Sequence, residues 1–281
     1  MQLISLCDNI VDDKKCWASE GASFFLTVDG IRILFDVGRS ADVLLHNLAE
    51  KGIDVGAIDY VILSHGHKGH FGAIESLSPK LNNSTTIIYG SGIENSKFKN
   101  IDGKKASGNT TNSEIIEKIK LANRYMEISE PFQLTENTTL LTAIPLSSDA
   151  LTAFSTRYMM INNSVSAMDM FAEEIALCVR HKASLFIISG CSHRGIDNIV
   201  LFAKSLFPDH TVSGIVGGFH TKNDKIKTDR LISFLFDLSL DIIAPCHCTG
   251  IHSKTAIRDQ MPQIYRDFTT GQELLFGGDM E

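Results

Sequence analysis

Four apolar runs in this chain end at histidine, and that recurrence constrains the fold more than any other feature. DYVILS at 59–64 runs into His65, ASLFIISG at 183–190 into Cys191-Ser192-His193, VSGIVGGF at 212–219 into His220, and DIIAPC at 241–246 into His247. Short runs rich in branched apolar residues and bounded by turn formers read as buried strands. Helical patterns, IDNIVLFAKSLF at 196–207 and TDRLISFLFDL at 228–238, lie between the last three. Strands alternating with helices predict an α/β layered protein, in which ligands bind beyond the strand ends.

The N-terminal half fits the same plan. ASFFLTVD (22–29) and RILFDV (32–37), split by Gly30, predict a hairpin, and Ser40 caps a helix over ADVLLHNLAEKG that Gly52 closes. TTIIYG at 85–90 and TTLLTAIPL at 138–146 are strand-like. The polar stretch near 95–112 reads as a loop, and 147–172, with Arg157, Tyr158 and a Met-rich run through Met170, as a substrate-side insertion. The expectation is a single domain over residues 1–281 carrying these two loop insertions.

Composition narrows the function. A net charge of −7 supplies no field for a phosphate backbone, so no nucleic-acid partner is expected. No stretch approaches the ~20 apolar residues of a membrane span, and MQLISLCDNIVDDKKC lacks the form of a secretory leader; a cytoplasmic location is the expectation. The six cysteines are too sparse for a disulfide scaffold and read as thiols. Cys178 reads as core, while Cys191, Cys246 and Cys248 lie beside histidines. Cys246 and Cys248 alternate with His247, so on extended backbone they point away from it and read as packing.

His65, His67 and His70 place three imidazoles within six positions just after a strand. Neutral imidazole is the commonest metal ligand, and a turn carrying several suits an ion of the zinc class. His46, His181, His210 and His252 stand in helical, polar or loop contexts and read as ordinary surface residues.

SHGHKGHFGAI at 64–74 resembles the SHxHxDHxGG signature of the metallo-β-lactamase superfamily. GCSHRGI (190–196), GGFH (217–220) and PCHCTG (245–250), with FAEEIALCV (171–179) before them and EGASFFLTVDGIRILFDVG (20–38) near the start, resemble the branch holding the dihydropterin-ribofuranosylaminobenzene-phosphate synthases. That resemblance implies a four-layer αββα sandwich with one or two ions of zinc, iron or manganese along one edge of the sheets. It matches His65 and His67 to the first pair of ligands, with His193 the choice for the third. It matches His70 and His247 to a second site, and places Cys191 about where relatives carry a bridging aspartate.

Gly69 departs from the signature, which has aspartate there. Glycine offers neither ligand nor base, so one tightly held ion, most simply zinc, is expected. A positive φ at Gly69 is the bland explanation of the substitution. Asp36 resembles an aspartate of the family and either orients a ligand histidine or closes a turn. His220 reads as a ligand, a proton donor or a strand-end residue. Gly217, Gly218, Thr249 and Gly250 permit close approach of a substrate phosphate to backbone N–H groups.

These features predict a metal-dependent hydrolase or transferase acting on a small phosphorylated or pterin-like substrate, with His70, His220 and His247 as catalytic groups. The rival is a non-catalytic ligand-binding or sensor protein with a degenerate metal site, which Gly69 favours. A redox role would call for an appended flavin-binding or rubredoxin-like segment, and the sequence shows none.

Overall fold

The structure, a computed structural model, describes residues 1–101, 104–110, 112–147, 151, 158–162 and 165–276. Its strands begin with β1 (Gln2–Cys7), β2 (Ser23–Val28), β3 (Ile31–Phe35), β4 (Tyr60–Leu63), β5 (Thr86–Gly90), β6 (Ser96–Ile101), β7 (Lys104–Thr110) and β8 (Arg124–Ile128). They continue with β9 (Phe132–Gln133), β10 (Thr138–Leu141), β11 (Tyr158–Asn162), β12 (Val165–Met168), β13 (Ala176–His181), β14 (Ser184–Ser189), β15 (Thr211–Gly217), β16 (Ile242–Pro245) and β17 (Glu273–Leu275). The helices are α1 (Ala41–Glu50), α2 (Lys68–Phe71), α3 (Ile74–Leu77), α4 (Asn112–Ala122), α5 (Ile196–Leu206), α6 (Lys225–Phe236) and α7 (Ile251–Gln260). Contacts divide the described residues between two compact units.

The first unit takes residues 1–129, 154–173 and 269–276. Its larger sheet runs β17-β1-β2-β3-β4-β5-β8, antiparallel through the β2–β3 hairpin and parallel from β3 to β8. Gly30 turns the hairpin at φ +76. Ser40 caps α1, its side chain accepting from the Val43 N–H at 3.4 Å, and Gly52 follows the helix at φ +66. Leu44 and Leu48 from α1 join Val61, Leu63, Phe71 and Tyr89 in the buried core.

The same unit holds a second sheet, in the order β12-β11-β6-β7, all antiparallel. It corrects the expectation of loop over 95–112, since residues 96–101 and 104–110 are strands, and the stretch expected as a substrate-side insertion over 147–172 supplies the strands 158–162 and 165–168. SKFKNI and KKASGNT lack an apolar alternation, so local periodicity could not reveal them; they form a local hairpin with each other, and β6 joins β11 over a long range, Ser96 opposite Ile161. Arg157 lies outside the described residues.

The second unit takes residues 130–153 and 174–268, with its sheet in the order β16-β15-β14-β13-β10-β9. β14, β15 and β16 are parallel neighbours, so their C-terminal ends lie at one edge. Buried Ile196, Ile199, Val200 and Ala203 of α5 and Leu231, Ile232 and Leu235 of α6 pack with Ile187, Ile215 and Ile243 of the sheet. Among the described residues no helix is long and apolar enough to cross a membrane.

Candidate metal centre

In the first unit the histidine turn is built by two parallel strands. β3 delivers Asp36 and its neighbour β4 delivers Ser64, so the two meet beyond the strand ends. Asp36 adopts φ +61, a left-handed conformation that costs a non-glycine residue about 1–2 kcal/mol, and it is fully buried. Its Oδ1 accepts from the Ser64 N–H at 2.7 Å, and its Oδ2 from the Ser64 hydroxyl at 2.7 Å. Oδ2 also lies 2.5 Å from His70 Nδ1. The Ser64 hydroxyl stands 2.9 Å from His65 Nδ1. Both rings are therefore fixed through Nδ1, and Nε2 is the nitrogen each would present to an ion, the usual support for a metal-binding histidine. Of the two sequence readings of Asp36, this geometry agrees with the one in which it orients a histidine.

The rings cluster: the centroid of His65 is 4.9 Å from that of His67 and 4.2 Å from that of His70. His65 and His70 are buried and His67 is half-buried at the N-cap of α2. Phe171 stands edge-on to His67 at 5.2 Å.

A buried ion triad grips the peptide between the first two histidines. Lys97, 2% exposed, sets its Nζ 2.8 Å from Asp169 Oδ2 and 2.7 Å from Glu173 Oε1. Glu173 Oε1 also accepts from the Gly66 N–H at 3.4 Å, and Asn112 donates to the Gly66 carbonyl at 2.9 Å. A Cβ at Gly66 would fall 2.5 Å from Asn112 Nδ2 and 2.9 Å from Lys97 Cε, so only glycine fits. Burial pulls the Lys97 ammonium down, but Glu173 and Asp169 hold it above the ordinary lysine range. Burial pushes the Glu173 carboxyl up; Lys97 opposes this and Asp169 adds to it. Sequence reading assigned roles to none of Lys97, Asp169 and Glu173.

Gly69 sits within α2 and is not among the glycines of positive φ, so the conformational explanation of its identity is corrected. A Cβ there would make a tight but tolerable approach of 3.2 Å to Gly21 Cα, and the Gly69 carbonyl accepts from the Ala22 N–H at 3.1 Å.

In the second unit the parallel strands deliver the other donors. Cys191 and His193 follow β14, His220 follows β15, and His247 and Cys248 lie in a 3₁₀ turn after β16. The His193 and His220 ring centroids are 4.3 Å apart. The ligand atoms of Cys191, His220 and Cys248 all lie within 4.8 Å of one another. Glu174, buried, holds the His193 turn, accepting from the His193 N–H at 2.7 Å and the Arg194 N–H at 2.8 Å.

Cys248 corrects its reading as packing. His247 has φ +48 and opens the 3₁₀ turn, so the alternation of extended backbone does not apply there, and the thiol turns toward Cys191 and His220. Burial pushes that thiol up, yet contacts with Cys191 and His220 and the charges of His220 and His247 hold it well below its ordinary value. Cys246 is fully buried. Among the described residues of this unit, His247 joins no group of three donors.

The residues expected to cradle phosphate are engaged with the protein. A Cβ at Gly217 would fall 1.9 Å from Ser189 O, and one at Gly250 1.7 Å from Lys222 O. The Gly218 N–H donates to Gly190 O at 3.2 Å. The buried Thr249 hydroxyl donates to Cys246 O at 2.8 Å and accepts from the Phe219 N–H at 3.1 Å.

The donor chemistry, neutral imidazoles with thiols and a buried carboxylate behind one ring, fits a divalent ion of the zinc class better than magnesium or calcium.

Comparison with known proteins gives a consistent picture. Residues 18–122 match the family model of the metallo-β-lactamase superfamily. The 7,8-dihydropterin-6-methyl-4-(β-D-ribofuranosyl)-aminobenzene-5'-phosphate synthase of Methanocaldococcus jannaschii is 28% identical over 272 residues, 92% of this chain and 91% of its own. The crystal structure of Tm1679, described as a metal-dependent hydrolase of the β-lactamase superfamily, superposes with a TM-score of 0.81 at 27% identity, over 98% of each chain. Zn²⁺-bound PqqB from Methylobacterium extorquens shares the fold alone, with a TM-score of 0.58 at 10% identity over 98% of this chain and 100% of that one.

Proposed function

The chain belongs to the metallo-β-lactamase superfamily and has its α/β fold, and from that premise we propose that it is a metal-dependent enzyme, a hydrolase or transferase acting on a small phosphorylated or pterin-like molecule. The observation that carries this reading is the Asp36 brace, which spends a fully buried carboxylate and a left-handed backbone on fixing the His70 and His65 rings. A histidine that merely fills space needs no such support.

The reading takes residues 1–281 as one metallo-β-lactamase-like domain working in the cytoplasm. Following the family, it gives one ion, zinc first and iron or manganese next, to His65, His67 and His193, and assigns His70, His247 and Cys191 to a weaker second position. When bound, a divalent ion supplies Lewis acidity and a nucleophile usable near neutral pH. The chain's own groups do the rest. Asp36 keeps the proton of His70 on Nδ1 and the lone pair on Nε2; His220 and His247 exchange protons with substrate. The phosphorylated character of the substrate is carried over from the named product of the archaeal relative. Gly217, Gly218, Thr249 and Gly250 stay candidates for contact with it.

Protein purified without added metal should carry about one ion per chain, and the triple variant His65→Ala/His67→Ala/His193→Ala should lose it while still folding. Full metal content in that folded variant defeats the assignment. Phosphomonoesterase, phosphodiesterase and pterin-condensation assays on the loaded protein then define the reaction. A second reading, a ligand-binding protein without turnover, is favoured by Gly69 alone; tight binding of phosphorylated pterins with no product in any assay would establish it.

A further inference from the structure

We propose that Cys191, His220 and Cys248 form a donor set of their own for a thiophilic divalent ion, a Cys₂His position that gives this centre sulfur ligation. This deepens the metal-enzyme reading and rests on it, taking Cys191 and His220 as ligands of this ion in place of the second-position and proton-transfer roles given them there, and its residues come from one unit alone.

The architecture explains why the three meet. β14, β15 and β16 are adjacent and parallel, and each contributes one donor just past its C-terminal end. All three ligand atoms lie within 4.8 Å of one another. A tetrahedral ion with bonds of about 2.3 Å to sulfur and about 2.0–2.1 Å to nitrogen needs donors about 3.5–3.8 Å apart, so closing on an ion asks for small side-chain movements only.

The surroundings hold the donors in place. Cys191 and His220 are 4% and 7% exposed, and Cys248 is half-buried. Gly218 provides the room for Cys248: a Cβ there would fall 2.6 Å from the Cys248 sulfur and 2.5 Å from Gly190 O. His220 keeps φ +47, a conformation disfavoured for a non-glycine residue and expected where the surrounding structure requires a particular side-chain direction. The Ser192 hydroxyl donates to Gly218 O at 2.7 Å, tying the turn after β14 to the turn after β15.

The choice of ion follows from the donors. Two thiolates and an imidazole select zinc, cobalt or cadmium and discriminate against magnesium, calcium and manganese, whose preferred ligands are oxygens. Three protein ligands leave a fourth position open, the arrangement of catalytic rather than structural zinc sites. The thiolate form of each cysteine is the one that ligates.

The test is a titration of metal-free, reduced protein with Co²⁺, followed by absorbance, for the parent, Cys191→Ser, Cys248→Ser and His65→Ala/His67→Ala, with a thermal melt of each. The parent should develop sulfur-to-cobalt charge transfer in the near ultraviolet. Each cysteine variant should lose part of it, the double cysteine variant all of it, and the His65/His67 variant should keep it. Stoichiometric Zn²⁺ or Cd²⁺ should remove the band, and millimolar Mg²⁺ should not. Cobalt binding with no sulfur band overturns the assignment while leaving the metal-enzyme reading intact; a parent that binds no cobalt at all sinks both. A band that vanishes from a normally melting His65→Ala/His67→Ala protein, or a Cys191–Cys248 disulfide in anaerobically handled protein, also overturns it. Should either serine variant melt early, Cys248→Ala at the half-buried position serves in its place.

Discussion

Lys97→Met is the perturbation that most directly probes the packing behind the histidine turn. The substitution keeps an unbranched side chain of similar length and removes only the charge that pairs Asp169 at 2.8 Å and Glu173 at 2.7 Å. Asp169 and Glu173 are 1% and 3% exposed, so water cannot replace the lost ammonium. Removing one partner from a buried ion pair costs about 3–5 kcal/mol, a large share of the ~5–15 kcal/mol that holds a typical protein folded. At about 2–4 °C per kcal/mol for a chain of this size class, the melting temperature at pH 7.5 should fall by roughly 6–20 °C. Without Lys97 nothing opposes the burial and the Asp169 charge that raise the Glu173 carboxyl. Its cost is incurred above its unfolded value and disappears as it protonates, so the deficit should shrink as the pH falls toward 4–5. The triple variant Lys97→Met/Asp169→Asn/Glu173→Gln, which buries no charge, should recover most of the loss. A Lys97→Met protein melting within about 2 °C of the parent at pH 7.5, or a triple variant no better than the single, refutes the claim that this triad is an energetically coupled unit.

Gly69→Asp should raise metal content from about one ion per chain toward two by restoring a carboxylate beside His70. Because its Cβ meets Gly21 Cα at 3.2 Å, a small drop in melting temperature should accompany the gain, and a folded variant with unchanged metal content would show that the missing aspartate is not what limits the site. At Asp197 burial pushes the carboxyl up against the backbone N–H of Leu151, which donates at 3.0 Å, and Oδ1 is buried without a hydrogen-bond partner among the described residues. A raised folded pKa means the ionised group costs stability above its unfolded value, so Asp197→Asn should raise the melting temperature at pH 7 and lose that advantage below about pH 4; equal melting of the two proteins at pH 7 would contradict this.

What the sequence made legible was whatever its signals carry locally. DYVILS running into His65 and ASLFIISG running into Cys191 are strands followed by donors within two or three positions, and a window of ten residues contains both facts. The parallel edge that gathers Cys191, His220 and Cys248 follows from the same alternation of strand and helix. Cys248 itself was misread because a period-two argument assumes extended backbone, and the chain leaves that conformation at His247. The sheet of β6, β7, β11 and β12 stayed hidden for another reason: SKFKNI and KKASGNT are mostly polar, and the pairing that joins the β6–β7 hairpin to the β11–β12 hairpin, Ser96 with Ile161, crosses more than fifty residues, so no local window holds the whole pattern.

Buried charge was the least legible feature, and the physics says why. A lysine in SKFKNI and two glutamates in FAEEIALCV carry the signature of solvent exposure, because burying any of them is prohibitive unless a partner of the right geometry arrives. For Lys97 that partner is Asp169, 72 residues on, and for Glu174 it is a pair of backbone N–H groups that exist as donors only once the turn after β14 has formed. Glu173 and Glu174 are neighbours in the chain yet serve different turns, the first at Gly66 and the second at His193 and Arg194. The His65–His67 turn and the His193 turn are thus each held by a carboxylate supplied from outside the loop. The ligands could be read where they stand, while the groups that aim them could be found only after the fold had brought them near.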